Sequence, residues 1–179
     1  AKLMNKRAEE LGCKNTHFVN PNGIHNKEHT STAYDLALMG QFAMKNETIR
    51  KIVSTKQFSL PITNKYNKTD RIFNNTNDLL STYSKYYYEG TTGVKTGYTG
   101  EAGNCIIASA TKNDFEVLLV VLGGKSTSKG LSERYLDCKT LFDYAFDNYS
   151  IKTLNEKNSV LKKITVSGAT KETQNLNLI

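Results

Sequence analysis

Asn104-Cys105-Ile106-Ile107-Ala108-Ser109-Ala110-Thr111 is an apolar, β-branched run, Lys112-Asn113-Asp114 is a polar break, and Phe115-Glu116-Val117-Leu118-Leu119-Val120-Val121-Leu122 is a second apolar run. Two such runs about a short polar turn predict a β-hairpin, and their nearly unbroken hydrophobicity predicts a sheet covered on both faces. Gly93 to Tyr98 leads into the hairpin as a third strand, and Gly123-Gly124 ends the sheet. Beyond it, Leu131, Tyr135, Cys138, Phe142 and Ala145 recur at helical spacing, tracing a face that packs on that sheet. The expected class is α/β in the α+β sense: an antiparallel sheet covered by helices.

Upstream, Leu3, Met4, Ala8 and Leu11 have the spacing of a helix that Gly12 stops, and Thr16 to Val19 is a short extended run closed by the turn Asn20-Pro21-Asn22-Gly23. Thr32 with Asp35 three residues on predicts a capped helix through about Met44, with Leu36, Ala37, Gly40, Ala43 and Met44 inward. A short helix over 47–53 and an extended segment over 56–62 come next. Thr63 to Gly90 is polar, rich in Asn and Tyr, and reads as irregular surface structure around an apolar knot at Leu79-Leu80. After Tyr149 the character changes: Ile164 and Val166 alternate with polar residues, as in a half-exposed strand. This places a domain boundary near Ser150, giving 1–150 as the main domain and 151–179 as a linker and the beginning of a β-rich second one.

The chain has 179 residues with a formal charge of +7, 38% hydrophobic and 23% charged, which is the composition of a globular protein. Only Arg7, Arg50, Arg71 and Arg134 are arginines; the lysines are dispersed, without the clustered basic patch a nucleic-acid binder needs. No apolar run approaches the roughly 18 residues of a spanning helix. The three cysteines, Cys13, Cys105 and Cys138, form no CxxC pair and read as small hydrophobes. His25 and His29, with Glu28 between them, lie in a loop-like segment lacking a third ligand, so neither a metal nor any other cofactor is expected. Ala1 is followed by no signal-peptide pattern, and the chain is expected to be an internal piece of something longer.

Lys95-Thr96-Gly97 falls on the third predicted strand, within Gly93-Val94-Lys95-Thr96-Gly97-Tyr98-Thr99 and ahead of the covered hairpin. In that setting the sequence resembles the penicillin-binding serine D-alanyl-D-alanine carboxypeptidases. The likeness extends to Met4-Asn5-Lys6-Arg7-Ala8, Leu11-Gly12, Thr16 through Gly23, Asn75-Thr76-Asn77, Gly123-Gly124 and Leu141-Phe142-Asp143-Tyr144-Ala145-Phe146. It implies a β-lactamase/transpeptidase-like fold, truncated on its N-terminal side. It also implies a hydrolase that attacks peptidoglycan stem peptides ending in D-Ala-D-Ala, is acylated by β-lactam antibiotics, and works outside the cytoplasm. Peripheral membrane association through a C-terminal segment outside this chain belongs to the same implication.

The family uses three motifs, Ser-x-x-Lys, Ser-x-Asn and Lys-Thr-Gly. The resemblance gives Lys95 the role of a cation facing the nucleophilic serine and drawing in the substrate carboxylate. Thr96 would offer its hydroxyl to that carboxylate, Gly97 would let the substrate lie close, the Tyr98 N–H would be an oxyanion donor, and Arg134 would be a second carboxylate anchor. The sequence departs from the family in having no Ser-x-Asn. Its Ser-x-x-Lys matches, at Ser109/Lys112, Ser126/Lys129 and Ser159/Lys162, fall in a strand, a loop and the tail. The nucleophile is therefore expected upstream of Ala1, and this fragment is expected to be inactive alone. Competing readings are a class A β-lactamase relative, for which a deacylating Glu-containing loop is wanting, and a non-catalytic wall- or penicillin-binding module.

Overall fold

The structure is a computed structural model that describes residues 1–66, 68–128, 130, 132–156, 159–165, 167–168, 170 and 175–178. The chain divides into two units, Ala1–Tyr149 and Ser150–Ile179.

The expected hairpin organises the first unit. Strands β4 (Gly103–Lys112) and β5 (Phe115–Gly124) pair antiparallel with Lys112 opposite Phe115. The two-residue turn Asn113-Asp114 has φ of 51° and 60°, the left-handed pair that suits a tight hairpin and that Asn and Asp tolerate. Strand β3 (Thr91–Thr99) adds to the other side of β4, giving the order β3-β4-β5. On one face Ile106, Ala108 and Ala110 of β4 and Leu119 and Val121 of β5 pack against Tyr135, Cys138 and Phe142 of helix α4 (Glu133–Asn148). Leu131, expected on the same helical face, lies outside the described residues.

Three helices precede the sheet: α1 (Lys2–Glu10), α2 (Ala33–Met44) and α3 (Glu47–Ser54). The second face of the sheet is covered by α2 and α3. Gly40 is the contact point: a Cβ there would lie 3.0 Å from Ile107 Cγ2 and 3.1 Å from Leu118 Cδ1, so its absence sets how closely α2 approaches. Arg50 joins the layers. Its Nη1 and Nη2 donate to both carboxylate oxygens of Glu116 at 2.6 and 2.9 Å, and its Nε donates to the Met44 carbonyl at 3.1 Å. The Arg50 hydrogen bonds hold the Glu116 carboxyl below the ordinary range.

The cap on α2 is as its sequence predicts, with Thr32 Oγ1 accepting from the Asp35 amide at 3.2 Å. Its inward face is different. Gly40 and Met44 are buried, Leu36, Ala37 and Ala43 are half-buried, and Asp35 is 1% exposed. Hydrophobic spacing could not announce a buried carboxylate, because one is tolerated only when fully bonded. Asp35 meets that condition: its Oδ2 accepts from the Asn15 amide at 2.8 Å and the Thr16 hydroxyl at 2.7 Å. Burial by itself pushes this carboxyl up, but the bonds from Thr16, Asn15, Lys14 and Thr32 outweigh it and hold the group below its usual range.

The reading of 63–90 as irregular surface needs correction. Strand β1 (Gln57–Leu60) pairs antiparallel with β2 (Arg71–Asn74), Phe58 opposite Phe73. β1 falls within the expected extended segment 56–62, but β2 faces solvent almost throughout, and its adjacent Ile72 and Phe73 break the in–out alternation that marks a strand in sequence. Leu79, in the 3₁₀ turn Asp78–Leu80, and Tyr86 belong to the main core. In the second unit β6 (Lys162–Thr165) pairs with β7 (Asn175–Leu178); all four β6 side chains are exposed, and Val166 lies outside the described residues. Among the described residues no helix is long and apolar enough to cross a membrane.

Two stability measurements check this packing. Phe142→Ala, at a fully buried position, should cost about 3–5 kcal/mol in urea unfolding. Asp35→Asn should lower Tm at pH 7, and the deficit should close in acid. The folded Asp35 pKa lies below the unfolded value of about 3.9, so its stabilisation is complete above that pH and disappears as pH falls through the folded value. A deficit unchanged down to pH 2 would contradict the role given to the carboxylate.

Candidate active site

Strand β3 pairs with β4 on one side, and no other described strand pairs with its outer edge. Register sets Lys95 opposite Ile107, Thr96 opposite Ile106, Gly97 opposite Cys105 and Tyr98 opposite Asn104. Side chains alternate across a strand. Val94 and Thr96 therefore turn to the α4 face, where each is 8% exposed, while Lys95 and Gly97 turn to the opposite one. Lys95 is exposed, and its Nζ donates to the Thr96 carbonyl at 2.5 Å. A Cβ added to Gly97 would meet nothing within 4 Å, so the strand lies open at that point. The Tyr98 side chain is 69% exposed.

Arg134, the second residue of α4, comes to the same place. Its Nη1 donates to the Gly97 carbonyl at 3.2 Å and the Cys105 carbonyl at 3.4 Å, and its Nη2 to the Tyr135 hydroxyl at 3.1 Å. The end of β5 makes this approach geometrically available. Leu122 and Gly123 together face Cys105 in a bulge, with Gly123 at φ +69°. At Gly124 a Cβ would lie 3.0 Å from the Asn104 carbonyl and 3.1 Å from the Arg134 amide. The loop into α4 is closed by the Lys125 amide donating to the Glu133 carboxylate at 2.8 Å and by the Ser132 amide donating to the Tyr86 hydroxyl at 2.7 Å.

The structure thus brings Thr96, Gly97 and Arg134 together and sets the Lys95 side chain on the other face of the same strand. It adds Thr76, which the residue pattern did not single out by role. The Thr76 and Thr96 hydroxyls lie 2.6 Å apart. On either side, Asn77 Nδ2 donates to the Gly93 carbonyl at 3.0 Å, and Asn75 Nδ2 donates to the Val53 and Thr55 carbonyls at 3.1 and 3.0 Å. Asn75-Thr76-Asn77 therefore stitches β3 to the end of α3. A polar triplet directly before the buried Leu79-Leu80 was the available signal.

The serines of the Ser-x-x-Lys matches are elsewhere. Ser109 is fully buried within β4, its hydroxyl 2.7 Å from that of Thr92. Ser126 bridges to Ser132, and its partner Lys129 lies outside the described residues. Ser159 belongs to the second unit. His29 Nδ1 accepts from the Val19 amide at 3.2 Å, and His25 Nδ1 is 3.8 Å from a Glu101 carboxylate oxygen. Among the described residues no group of three His, Cys, Asp or Glu side chains is arranged to hold a metal. Cys138, on the buried face of α4, has its thiol pushed up to about 12, chiefly by burial and then by Asp137.

Residues 1–126 match the family model described as D-alanyl-D-alanine carboxypeptidase, peptidase S11. The chain belongs to the D-alanyl-D-alanine carboxypeptidase family. It is 41% identical over 167 residues to the D-alanyl-D-alanine carboxypeptidase DacF of Bacillus subtilis, covering 92% of this chain and 39% of that one. The D-alanyl-D-alanine carboxypeptidase of a Streptomyces species, strain K15, is 37% identical, with 80% of this chain and 47% of the relative covered. The crystal structure of the Streptomyces K15 DD-transpeptidase superposes with a TM-score of 0.69 at 37% identity, covering 80% of this chain and 52% of that one. A D-alanyl-D-alanine endopeptidase of Pseudomonas aeruginosa is 33% identical over 133 residues. The chain therefore spans less than half the length of the curated carboxypeptidases it matches. The expected fold, an antiparallel sheet between helical layers, is that of these solved relatives.

The glycine at the end of β5 offers a direct check on the site's construction. Gly124→Val should destabilise this member of the carboxypeptidase family by about 1–3 kcal/mol through overpacking against Asn104 and Arg134. Chemical-shift changes in the variant should concentrate at Gly97, Cys105 and Arg134, measured by amide NMR.

Proposed function

We propose that this chain is the Lys-Thr-Gly-bearing part of a serine-type D-Ala-D-Ala carboxypeptidase acting on peptidoglycan stem peptides outside the cytoplasm. The observation carrying the reading is the meeting of Gly97, on the open edge strand, with the Arg134 guanidinium. Lys95 supplies a cation to the serine's proton network and to the substrate's terminal carboxylate. Arg134 is a second, planar anchor for that carboxylate. For Thr96 to present its hydroxyl hydrogen to the ligand, Thr76 must donate to Thr96, since one hydrogen cannot serve both partners. An exposed strand edge at Gly97 and Tyr98 suits a peptide laid along it, with the Tyr98 N–H as one oxyanion donor. β-Lactams, as acylating mimics of the peptide, are the corresponding inhibitors. Residues 1–150 form the catalytic-domain portion and 151–179 begin a β-rich second domain, while peripheral membrane association of the whole protein belongs to a C-terminal segment outside this chain.

The chemistry needs a serine that attacks the peptide carbonyl, loses its proton to a neighbouring base, and releases the terminal D-Ala before water cleaves the acyl-enzyme. This chain has no Ser-x-Asn, and Ser109 is sealed within the sheet. The 179-residue chain incubated with penicillin should therefore show no covalent adduct by mass spectrometry; a stoichiometric adduct on Ser109, Ser126 or Ser159 would overturn the assignment.

In a protein that joins this chain to a segment bearing Ser-x-x-Lys and Ser-x-Asn, Lys95→Ala should cost more than Arg134→Ala. A charge-assisted contact is worth about 1.5–3 kcal/mol. Lost transition-state electrostatics add on the order of 10²-fold in rate. Lys95→Arg should also fail, because a planar fork does not replace a compact ammonium. The measurement is the second-order rate of acylation by a slow penicillin. Lys95→Ala within a few-fold of the parent, with Arg134→Ala dead, would reverse the two roles.

A further inference from the structure

The Tyr135 hydroxyl is at a junction that the roles above leave unused. It accepts from Arg134 Nη2 at 3.1 Å and from the Asp78 amide at 3.3 Å, and it donates to the Thr76 carbonyl at 3.0 Å. A phenol has one hydrogen and two acceptor sites, so its capacity is filled. The direction of each bond is also fixed. Guanidinium and amide nitrogens can only donate, which leaves the phenolic hydrogen to the Thr76 carbonyl. Burial raises the Tyr135 pKa above the ordinary phenol value, against the opposing bonds, and this keeps that hydrogen in place.

The bonds run in a ring. Arg134 reaches Tyr135, Tyr135 reaches Thr76, the Thr76 hydroxyl meets that of Thr96, and Arg134 returns to the carbonyl of Gly97, the residue after Thr96. The phenol itself is rigidly mounted. Its side chain is 1% exposed, its ring is 4.7 Å from that of Tyr86, and the Arg134 guanidinium carbon lies 4.7 Å from the ring centre. Arg134 Nε is buried without a hydrogen-bond partner, so the hold on this guanidinium comes from its two terminal nitrogens and the ring beneath it.

We infer that Tyr135 is a positioning residue for the carboxylate cradle, its hydroxyl fixing the Arg134 guanidinium relative to Thr96 and Gly97. This rests on the carboxypeptidase reading for the identity of the ligand, but not for the hold on Arg134. A bare arginine at a helix start samples many rotamers, and orienting it in advance removes that entropy loss from binding. The phenol also couples the two ligand-facing residues: whatever moves Thr76 moves both the partner of Thr96 and the acceptor of Tyr135.

Tyr135→Phe tests this while keeping the ring. The first readout is the ¹⁵N NMR signals of the Arg134 guanidinium in the 179-residue chain. Restricted rotation should give separate Nη signals in the parent, collapsing to an average in Tyr135→Phe. The second is a titration with N-acetyl-D-alanyl-D-alanine and with its C-terminal amide, followed at the Thr96 and Gly97 amides. Tyr135→Phe should weaken the acid about tenfold, the size of one loosened charge-assisted contact, and leave the amide unchanged. A merely structural tyrosine would weaken both ligands alike and leave the guanidinium signals separate; either result overturns the inference. If the parent chain fails to prefer the acid over the amide, the carboxypeptidase reading falls, while the guanidinium signals still decide the role of Tyr135. Should Tyr135→Phe not fold, the parent decides: a slowly exchanging Tyr135 hydroxyl proton with an Overhauser contact to Arg134 is required, and its absence is fatal.

Discussion

A hairpin apolar on both faces cannot stand in water, and the rest of the first unit follows from that. Ile106, Ala108 and Ala110 need one cover, Ile107 and Leu118 another, so the sheet must lie between two helical layers. Helix α4 supplies the first with Tyr135, Cys138 and Phe142, and α2 supplies the second where Gly40 lets it come close. The polar ties then fasten what burial has already assembled. Arg50, on Glu116 and the Met44 carbonyl, locks α2 and α3 to β5.

The site is a by-product of where that packing stops. Among the described residues β3 pairs with a strand, β4, on one edge and with none on the other, and the β5 bulge brings the first turn of α4 back over the sheet end. Arg134 thereby reaches a strand it does not neighbour in sequence, at Gly97 and Cys105. The arrangement is open at Gly97, where an added Cβ would meet nothing within 4 Å. It is an exposed strand edge with a cation on each face: Lys95 on one, Arg134 on the other. Such a surface is suited to an extended ligand carrying a charged end.

The sequence made the buried hairpin legible because uninterrupted β-branched runs have few other uses, and it made α2 legible because Thr32 and Asp35 form a cap. It placed Lys95-Thr96-Gly97 on a strand correctly. It was silent on β2, whose Ile72 and Phe73 both face solvent and so break the in–out rule. It named Asp35 as part of a cap, Thr76 within a matching triplet and Tyr135 on a packing face, but not their hydrogen-bonding roles, which lie in partners 19 to 59 residues away. Periodicity reports what a residue avoids, namely water. Hydrogen bonds between distant polar groups leave no periodic trace, so the part of the site built from them had to be seen in three dimensions.

The three free cysteines occupy graded depths in one unit: Cys13 and Cys105 are half-buried, and Cys138 is sealed in the core. With its thiol pushed up to about 12, Cys138 holds almost no thiolate at neutral pH even if a reagent reached it. Its alkylation is thus gated by separation of α4 from the sheet, whereas that of the other two follows smaller openings. The protein carries a native label for each scale of motion, and the ratio of their modification rates measures how far local breathing is from loss of the whole fold.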